Sequence, residues 1–351
     1  MLMGANPVGA VSVHALDQSG QPTDDGIDIE EEGAKLFPVE IASKSGVCSF
    51  CLDEARAPDL FHKGCYKKLW RTTRVLAVKL DERQPLLSFS RTIHDGSISG
   101  AQRKGLFTLH KNELHVASAN STYILKPDGD YPELPANEHL TMTAARHLNF
   151  DVPYTGLIQI EGVGLVFVIK RFDRTASNEK LLMEDMAQIY EKASDDKYSL
   201  SHEKVGLAIL QHTQAGPLNL QDYFRRIVFC FLTANGDMHL KNWALLEMAK
   251  NPGNYRLSPV YDWLNTRIAL PGEKDDLAIP LAGKKRNMQK SYFKRFALEE
   301  LYLNEVYVEK VFAEIPEWVR KLQDFVPRSF LSEGMKKSYL DILNLRAASL
   351  V

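Results

Sequence analysis

The sequence predicts an α+β chain in which a β-containing N-terminal half precedes a mainly helical C-terminal half. Three observations predict it. Short β-rich apolar runs, "STYILKP" (121–127) and "GLVFVIKRF" (164–172), fall before residue 173. After it, Met183 to Lys192, Ser201 to Thr213 and Leu220 to Thr233 carry apolar residues at helical spacing, and so does the tail from Ser291 to Val351. Between them, "FLTANGDMHLKNWALL" (231–246) breaks two apolar runs with an acid, an imidazole, an ammonium and an amide.

Composition narrows the classes of function. The 351 residues are 44% hydrophobic and 25% charged, as in ordinary globular proteins. A net charge of -2 argues against nonspecific or direct DNA binding by the whole chain. No apolar run approaches the roughly 20 residues that span a bilayer. Met1-Leu2-Met3-Gly4 lacks the basic start and apolar core of a signal peptide, and four cysteines make no disulfide framework. The expected location is the cytoplasm, with no membrane partner.

Residues 1–45 read as a flexible N-terminal segment. Pro7 to Val13 has the pattern of one short strand, and Asp17 to Gly33 holds seven acids with no apolar period. Residues 46–84 form a Cys/His segment, with Cys48 and Cys51 as C-x2-C and His62 and Cys65 as H-x2-C. Such pairs suit a tetrahedral structural Zn²⁺ site. Three free thiols and a surface histidine in a small helical hairpin fit the spacing equally well. Residues 85–173 supply the strands, with a helix from Asn137 to Leu148 between Pro135 and Pro153. Residues 174–351 form the helical part.

The chemistry is distributed across both halves. Asp237 and Asn242 lie five positions apart after a helix, and a strand from Trp243 to Met248 follows. A turn at Asn251-Pro252-Gly253-Asn254 returns the chain to "SPVYDW", which ends the ribbon with Asp262. Phosphoryl transfer needs this set: a carboxylate for the hydroxyl nucleophile, and an amide oxygen plus a second carboxylate for Mg²⁺. Lys126 ends a strand, where its ammonium can reach nucleotide phosphates, and Glu138 on the next helix can pair with it. "GSISGAQRKG" (96–105) offers glycines and hydroxyls for a phosphate cradle. Each feature alone has a bland reading, such as a solvated edge lysine, an ordinary turn or an exposed helix glutamate. Their order along the chain is the stronger signal.

Taken together, those residues make the chain resemble the HipA-type toxin serine/threonine kinases, and specifically the short HipT-like branch. "NGDMHLKNWALL" and "LSPVYDW" are similar to that family's catalytic loop and metal-binding segment. "SISGAQRKGLFTL", "YILKP", "PELPANEHLTM", "DVPYTGL", "VIKRFDR" and "LAIPLAGKKRNM" follow in family order, so the likeness spans about residues 90 to 351. It implies a two-lobed protein-kinase-like fold that uses ATP and Mg²⁺.

By position, Asp237 would be the catalytic base, Asn242 and Asp262 the Mg²⁺ ligands, and Lys126 a phosphate ligand paired with Glu138. Lys104 would assist from the loop. Lys170, Arg171 and Phe172 would border the adenine, and His239 would lie near the phosphates. Ser97 and Ser99 match loop serines that such kinases autophosphorylate; added phosphate charge there would repel ATP.

Only "GANPVGAVSV" resembles the N-terminal subdomain of the long members, which implies separate antitoxins of HipB-like and HipS-like type. The implied substrate is a protein, such as an aminoacyl-tRNA synthetase. The basic residues Lys284, Lys285, Arg286, Lys290, Lys294 and Arg295 are either a solvated face or a docking patch for it. Two other functions remain open from sequence: a non-catalytic co-repressor module that binds an antitoxin, and a kinase of lipids or small molecules.

Overall fold

The computed structural model describes residues 34–44, 46–55, 61–72, 74–75, 77–89, 102–117, 120–270 and 272–351. The strand expected at Pro7 to Val13, the acidic segment and the loop serines Ser97 and Ser99 lie outside those residues.

Seven strands close into a barrel: β1 (Ala34–Ile41), β2 (Ala77–Asp81), β3 (Gly105–His110), β4 (Glu113–Val116), β5 (Tyr123–Pro127), β6 (Thr155–Ile160) and β7 (Gly164–Lys170). Their order around the barrel is β1-β2-β4-β3-β5-β7-β6. The β2–β4 pair is parallel, and the other pairs are antiparallel. The β3–β4 hairpin turns on Lys111 and Asn112, both at positive φ, as a two-residue turn matched to strand twist requires. Closure was not expected from sequence. It places Ala34–Ile41, read as part of a flexible segment ending at 45, against both Ala77–Asp81 and Ile158–Ile160. The boundaries drawn at 45 and 84 therefore cut through the barrel.

Two helices lie against this barrel. The first, α1 (Lys63–Trp70), follows the Cys/His turn. The second, α2 (Leu134–His147), is buried at every position from Leu134 to Ala145, because the barrel covers one side and the helical half the other. A helix covered all round is a core element, and its polar residues must find partners inside.

The second half begins with a three-stranded sheet, β8 (Met183–Asp185), β9 (Ala244–Met248) and β10 (Asn251–Leu257), ordered β10-β9-β8. Met183 to Lys192, expected as a helix, instead splits into β8 and a single turn, α3 (Met186–Ile189). The cause is local: Asp185 caps that turn reciprocally with Gln188, so a helix starts only at Met186. Then come α4 (His202–His212), α5 (Gly216–Leu232), α6 (Thr266–Ala269), α7 (Lys290–Arg295), α8 (Glu305–Arg328) and α9 (Glu333–Ala348). The expected tail of helices is thus observed. Phe150, Phe229, Trp263 and Trp318 form an aromatic centre, with ring centroids 4.8 to 5.7 Å apart. Among the described residues, no helix is long and apolar enough to cross a membrane.

Packing between the Cys/His turn and the barrel is tight enough to test. A Cβ at Gly156 on β6 would lie 2.3 Å from Cδ1 of the buried Phe50 ring. Gly156→Ala should therefore cost about 1–3 kcal/mol in urea unfolding. An unchanged midpoint would mean that Phe50 does not seat on β6.

Candidate active site

Three ionic side chains from three elements meet at one point. Lys126 on β5 places Nζ 2.8 and 3.0 Å from the two carboxylate oxygens of Glu138 on α2, and 2.5 Å from Oδ1 of Asp262. Lys126 is 4% exposed and Glu138 is wholly buried, so neither is the solvated residue that the bland reading supposed. Both expected partners are present, and the lysine also reaches the helical half.

The segment carrying Asp262 is fixed by its neighbours. Asp262 has φ +55°, a left-handed conformation that aspartate tolerates better than most residues. Asn235 donates to its carbonyl at 3.1 Å, and the Tyr261 hydroxyl donates to the carbonyl of Lys241 at 2.8 Å. One residue before Glu138, Asn137 donates to the carbonyl of Asn265 and accepts from its backbone N–H, at 2.8 and 2.9 Å. This reciprocal pair ties α2 to the stretch after Asp262.

The polar loop from Gly236 to Asn242 is held just as closely. Gly236 N–H donates to Thr266 Oγ1 at 2.9 Å, and Asp237 N–H donates to Asn235 Oδ1 at 3.2 Å. The Asn242 side chain donates to the Asp237 carbonyl at 2.8 Å, locking the five-residue spacing into one loop. Met238, Leu240 and Trp243 turn into the core and anchor it. The Tyr198 hydroxyl donates to Asp237 Oδ1 at 2.8 Å, while His239 Nε2 lies 4.0 Å from that oxygen and its ring packs edge-on against Tyr198.

Electrostatics sort the acids. Burial opposes the charge on Asp262, but Lys126 and Lys104 more than offset it and hold its carboxyl below the ordinary range. Glu138 shares the same ammonium at longer distance in a drier site, and burial pushes it up to about 7. Burial likewise lowers Lys104 to about 8, against the pull of Asp262. The site thus gathers hard oxygen donors, a carboxylate kept anionic and two ammonium groups. Asn242 and Asp262 fit what Mg²⁺ takes.

Other expected residues stand elsewhere. Lys170 ends β7, but its ammonium donates to the carbonyl of Lys68 at 3.3 Å and lies over Tyr154. Arg171 is buried in a two-pronged pair with Asp173, at 2.9 and 2.5 Å, and donates to Ser121 at 2.7 Å. Phe172 packs near Tyr261, with centroids 5.8 Å apart. At this crossing the side chains of Lys170 and Arg171 are engaged by the protein. Cys48, Cys51, His62 and Cys65 come together as a separate group that shares no residue with the Lys126 cluster. The basic cluster is partly neutralised: Arg286 pairs with Asp275, and Lys294 lies 2.8 Å from both Glu305 and Glu309. Sequence reasoning missed Tyr198, Asn137, Asn235 and Thr266. Asn137 and Asn235 lie inside quoted motifs without having been assigned a role, and Thr266 lies just beyond one; Tyr198 carried no signal.

Glu138 gives a pH prediction. Its folded carboxyl holds a proton up to about 7, whereas the unfolded chain releases it near 4.5. Stability from this group is therefore complete below about 4.5 and is lost as pH rises toward 7. Glu138→Gln should remove that limb, worth about 3 kcal/mol, from unfolding free energy measured between those pH values. A variant that keeps the full slope would place its origin elsewhere.

Comparison with known proteins bears on this geometry. The family model described as "HipA-like C-terminal domain" matches residues 96–322. Two relatives are named "Putative kinase". One, from Haemophilus influenzae, is 30% identical over 265 residues, covering 68% of this chain and 76% of its own length. The other, from Sinorhizobium fredii, is 31% identical over 212 residues, 55% of this chain and half of its own length. Among solved structures, HipA of Shewanella oneidensis MR-1, in complex with HipB and operator DNA, shares the fold at TM-score 0.63 and 19% identity. That match covers 74% of this chain and 67% of that one. On the family match, this chain belongs to the family of the HipA-like C-terminal domain.

Proposed function

We propose that this chain is an ATP- and Mg²⁺-dependent serine/threonine protein kinase of the HipT-like branch, acting in the cytoplasm as the toxin of a type II toxin–antitoxin system. One observation carries the reading: Lys126, Glu138 and Asp262 meet in one buried ion cluster contributed by both halves of the chain. The names of the relatives support the same chemistry.

In this reading Glu138 holds the Lys126 ammonium in place, and Lys126 exchanges part of its contact with Asp262 for phosphate oxygens when ATP enters. Lys104 adds a second cation beside them. Asn242 and Asp262 would hold Mg²⁺, which neutralises charge on the transferring phosphoryl group. Asp237 takes the proton of the incoming serine or threonine hydroxyl; the new bond joins that oxygen to the γ-phosphorus as the bond to ADP breaks. Tyr198 orients the Asp237 carboxylate, and His239 packs behind Tyr198. Near the adenine, the chain at 170–172 would serve through its remaining backbone groups, since the Lys170 and Arg171 side chains are committed and their N–H groups donate to the Tyr154 and Thr122 carbonyls.

Ser97 or Ser99 would be the self-modified residue, and the acceptor in trans a translation component such as an aminoacyl-tRNA synthetase. The Shewanella complex supports a HipB-like antitoxin partner, with a HipS-like one expected from the branch. Mass spectrometry of purified protein should find phosphoserine at 97 or 99, absent in Asp237→Ala. Expression in a host should arrest growth only with Asp237 intact and yield one dominant new phosphosite on a protein. Equal toxicity of Asp237→Ala would favour a non-catalytic co-repressor, and a labelled small product would favour a small-molecule kinase.

Tyr198→Phe should lower kcat by roughly 10-fold, the scale of one hydrogen bond to a charged group, with KM for ATP little changed. A change confined to KM would place Tyr198 in nucleotide binding instead.

A further inference from the structure

The Cys/His segment, which phosphoryl transfer does not use, forms a cluster with the geometry of a metal centre. The ligand atoms of Cys48, Cys51, His62 and Cys65 all lie within 4.8 Å of one another. Ideal tetrahedral Zn²⁺ bond lengths put sulfur and nitrogen ligands about 3.6 Å apart. His62 Nδ1 lies 3.3 Å from Cys51 Sγ and 3.9 Å from Cys65 Sγ, on either side of that value. His62 Nε2 donates to the Glu54 carbonyl at 2.9 Å, so the ring proton sits there and Nδ1 turns its lone pair to the sulfurs. Metal-bound histidines are oriented by such a bond from the far nitrogen. The His62 backbone N–H also donates to Cys48 Sγ at 3.3 Å, as it would to a thiolate. All three cysteines are free of disulfides.

This cluster lies inside a segment anchored twice on the helical half. At one end, Lys44 donates to the Pro327 carbonyl at 2.9 Å, and Asp53 lies 3.8 Å from Arg328. At the other end, Arg71 donates to the Ala176 carbonyl at 3.1 Å. Between these points, the last turn of α1 accepts bonds from the barrel: Tyr123 Oη donates to the carbonyls of Leu69 and Trp70, each at 3.2 Å. Each anchor is a solvent-facing contact of small individual worth. They act together only if the turn and α1 form one rigid piece; Phe50 packs on Phe61 and Tyr66 across that joint, and beside it the Cys/His cluster brings Cys48 and Cys51 to His62 and Cys65.

We propose that Cys48, Cys51, His62 and Cys65 bind one Zn²⁺ as a closed structural site, and that the metal stiffens residues 44–71 into a brace linking the barrel to the helical half. Binding releases the thiol protons to solvent and changes no oxidation state. All four positions are protein ligands, so the ion does no chemistry on substrate.

The test uses the full chain, and its readouts do not depend on kinase activity. Protein purified without chelator should carry about one zinc per chain. Exchange into Co²⁺ should give the intense visible bands of a tetrahedral ion with thiolate charge transfer. Cys65→Ser should lose the metal, and His62→Cys should keep it with an altered cobalt spectrum. Absence of zinc, with no cobalt bands in the wild type, would overturn the site. Stripping the metal should lower the melting temperature by roughly 5 °C or more and open residues 44–71 to protease first. Metal removal that leaves both unchanged would overturn the brace.

Discussion

Everything in the molecule is arranged around one buried ammonium shared by two carboxylates. Lys126, Glu138 and Asp262 are contributed by a barrel strand, a core helix and a ribbon end, and none of them could be buried alone at tolerable cost. The charges of the trio do not cancel, because two acids face one base. Lys104 and the elevated Glu138 carboxyl absorb the remainder. Removing Lys126 would leave two acids without their shared counter-ion in a dry place, whereas loss of either acid leaves the ammonium the other. The three elements are therefore held in one mutual geometry by electrostatics as much as by packing. The Asn137–Asn265 pair repeats the connection with neutral groups one residue away. Ionic and neutral bonds side by side make the contact directional, which apolar packing alone would not.

Much of this was legible because ionisable residues at the ends of apolar runs stand out. Lys126, Glu138, Asp237, Asn242 and Asp262 were each singled out from such positions, and the structure brings Lys126, Glu138 and Asp262 into direct contact. Barrel closure was not legible. "AKLFPVEI" contains a proline and follows an acidic stretch, and only its distant partners, Ala77–Asp81 and Ile158–Ile160, explain it as a strand. Met183 to Lys192 misled for a different reason. Its apolar spacing is helical, but Asp185 is a better helix start than Met183 is, and Leu246 offers a strand partner. Tyr198 lacked any periodic or motif context, since its importance comes only from where its hydroxyl lands.

Side-chain direction was the other hidden variable. Position along the chain assigned Lys170 and Arg171 to the border of a nucleotide site, yet Lys170 turns to α1 and Arg171 to Asp173. Sequence distance carries no information about which face of a crossing strand a long side chain selects. The basic stretch from 284 to 295 teaches the same lesson. Read linearly it is a block of positive charge; in space Asp275, Glu305 and Glu309 stand against it.

The closing of the barrel by its first stave has a consequence for how the chain is made. Ala34–Ile41 leaves the ribosome long before Ile158–Ile160, so the growing chain must carry an unpaired edge through more than a hundred residues of elongation. Such an edge invites pairing with other nascent chains, and the long delay adds the entropy of a large loop to be closed. The family-matched region, 96–322, omits β1 and β2 and so lacks two of the seven staves. A fragment cut to that region would expose the sides of β4 and β6 for good, and insolubility is the outcome that geometry favours.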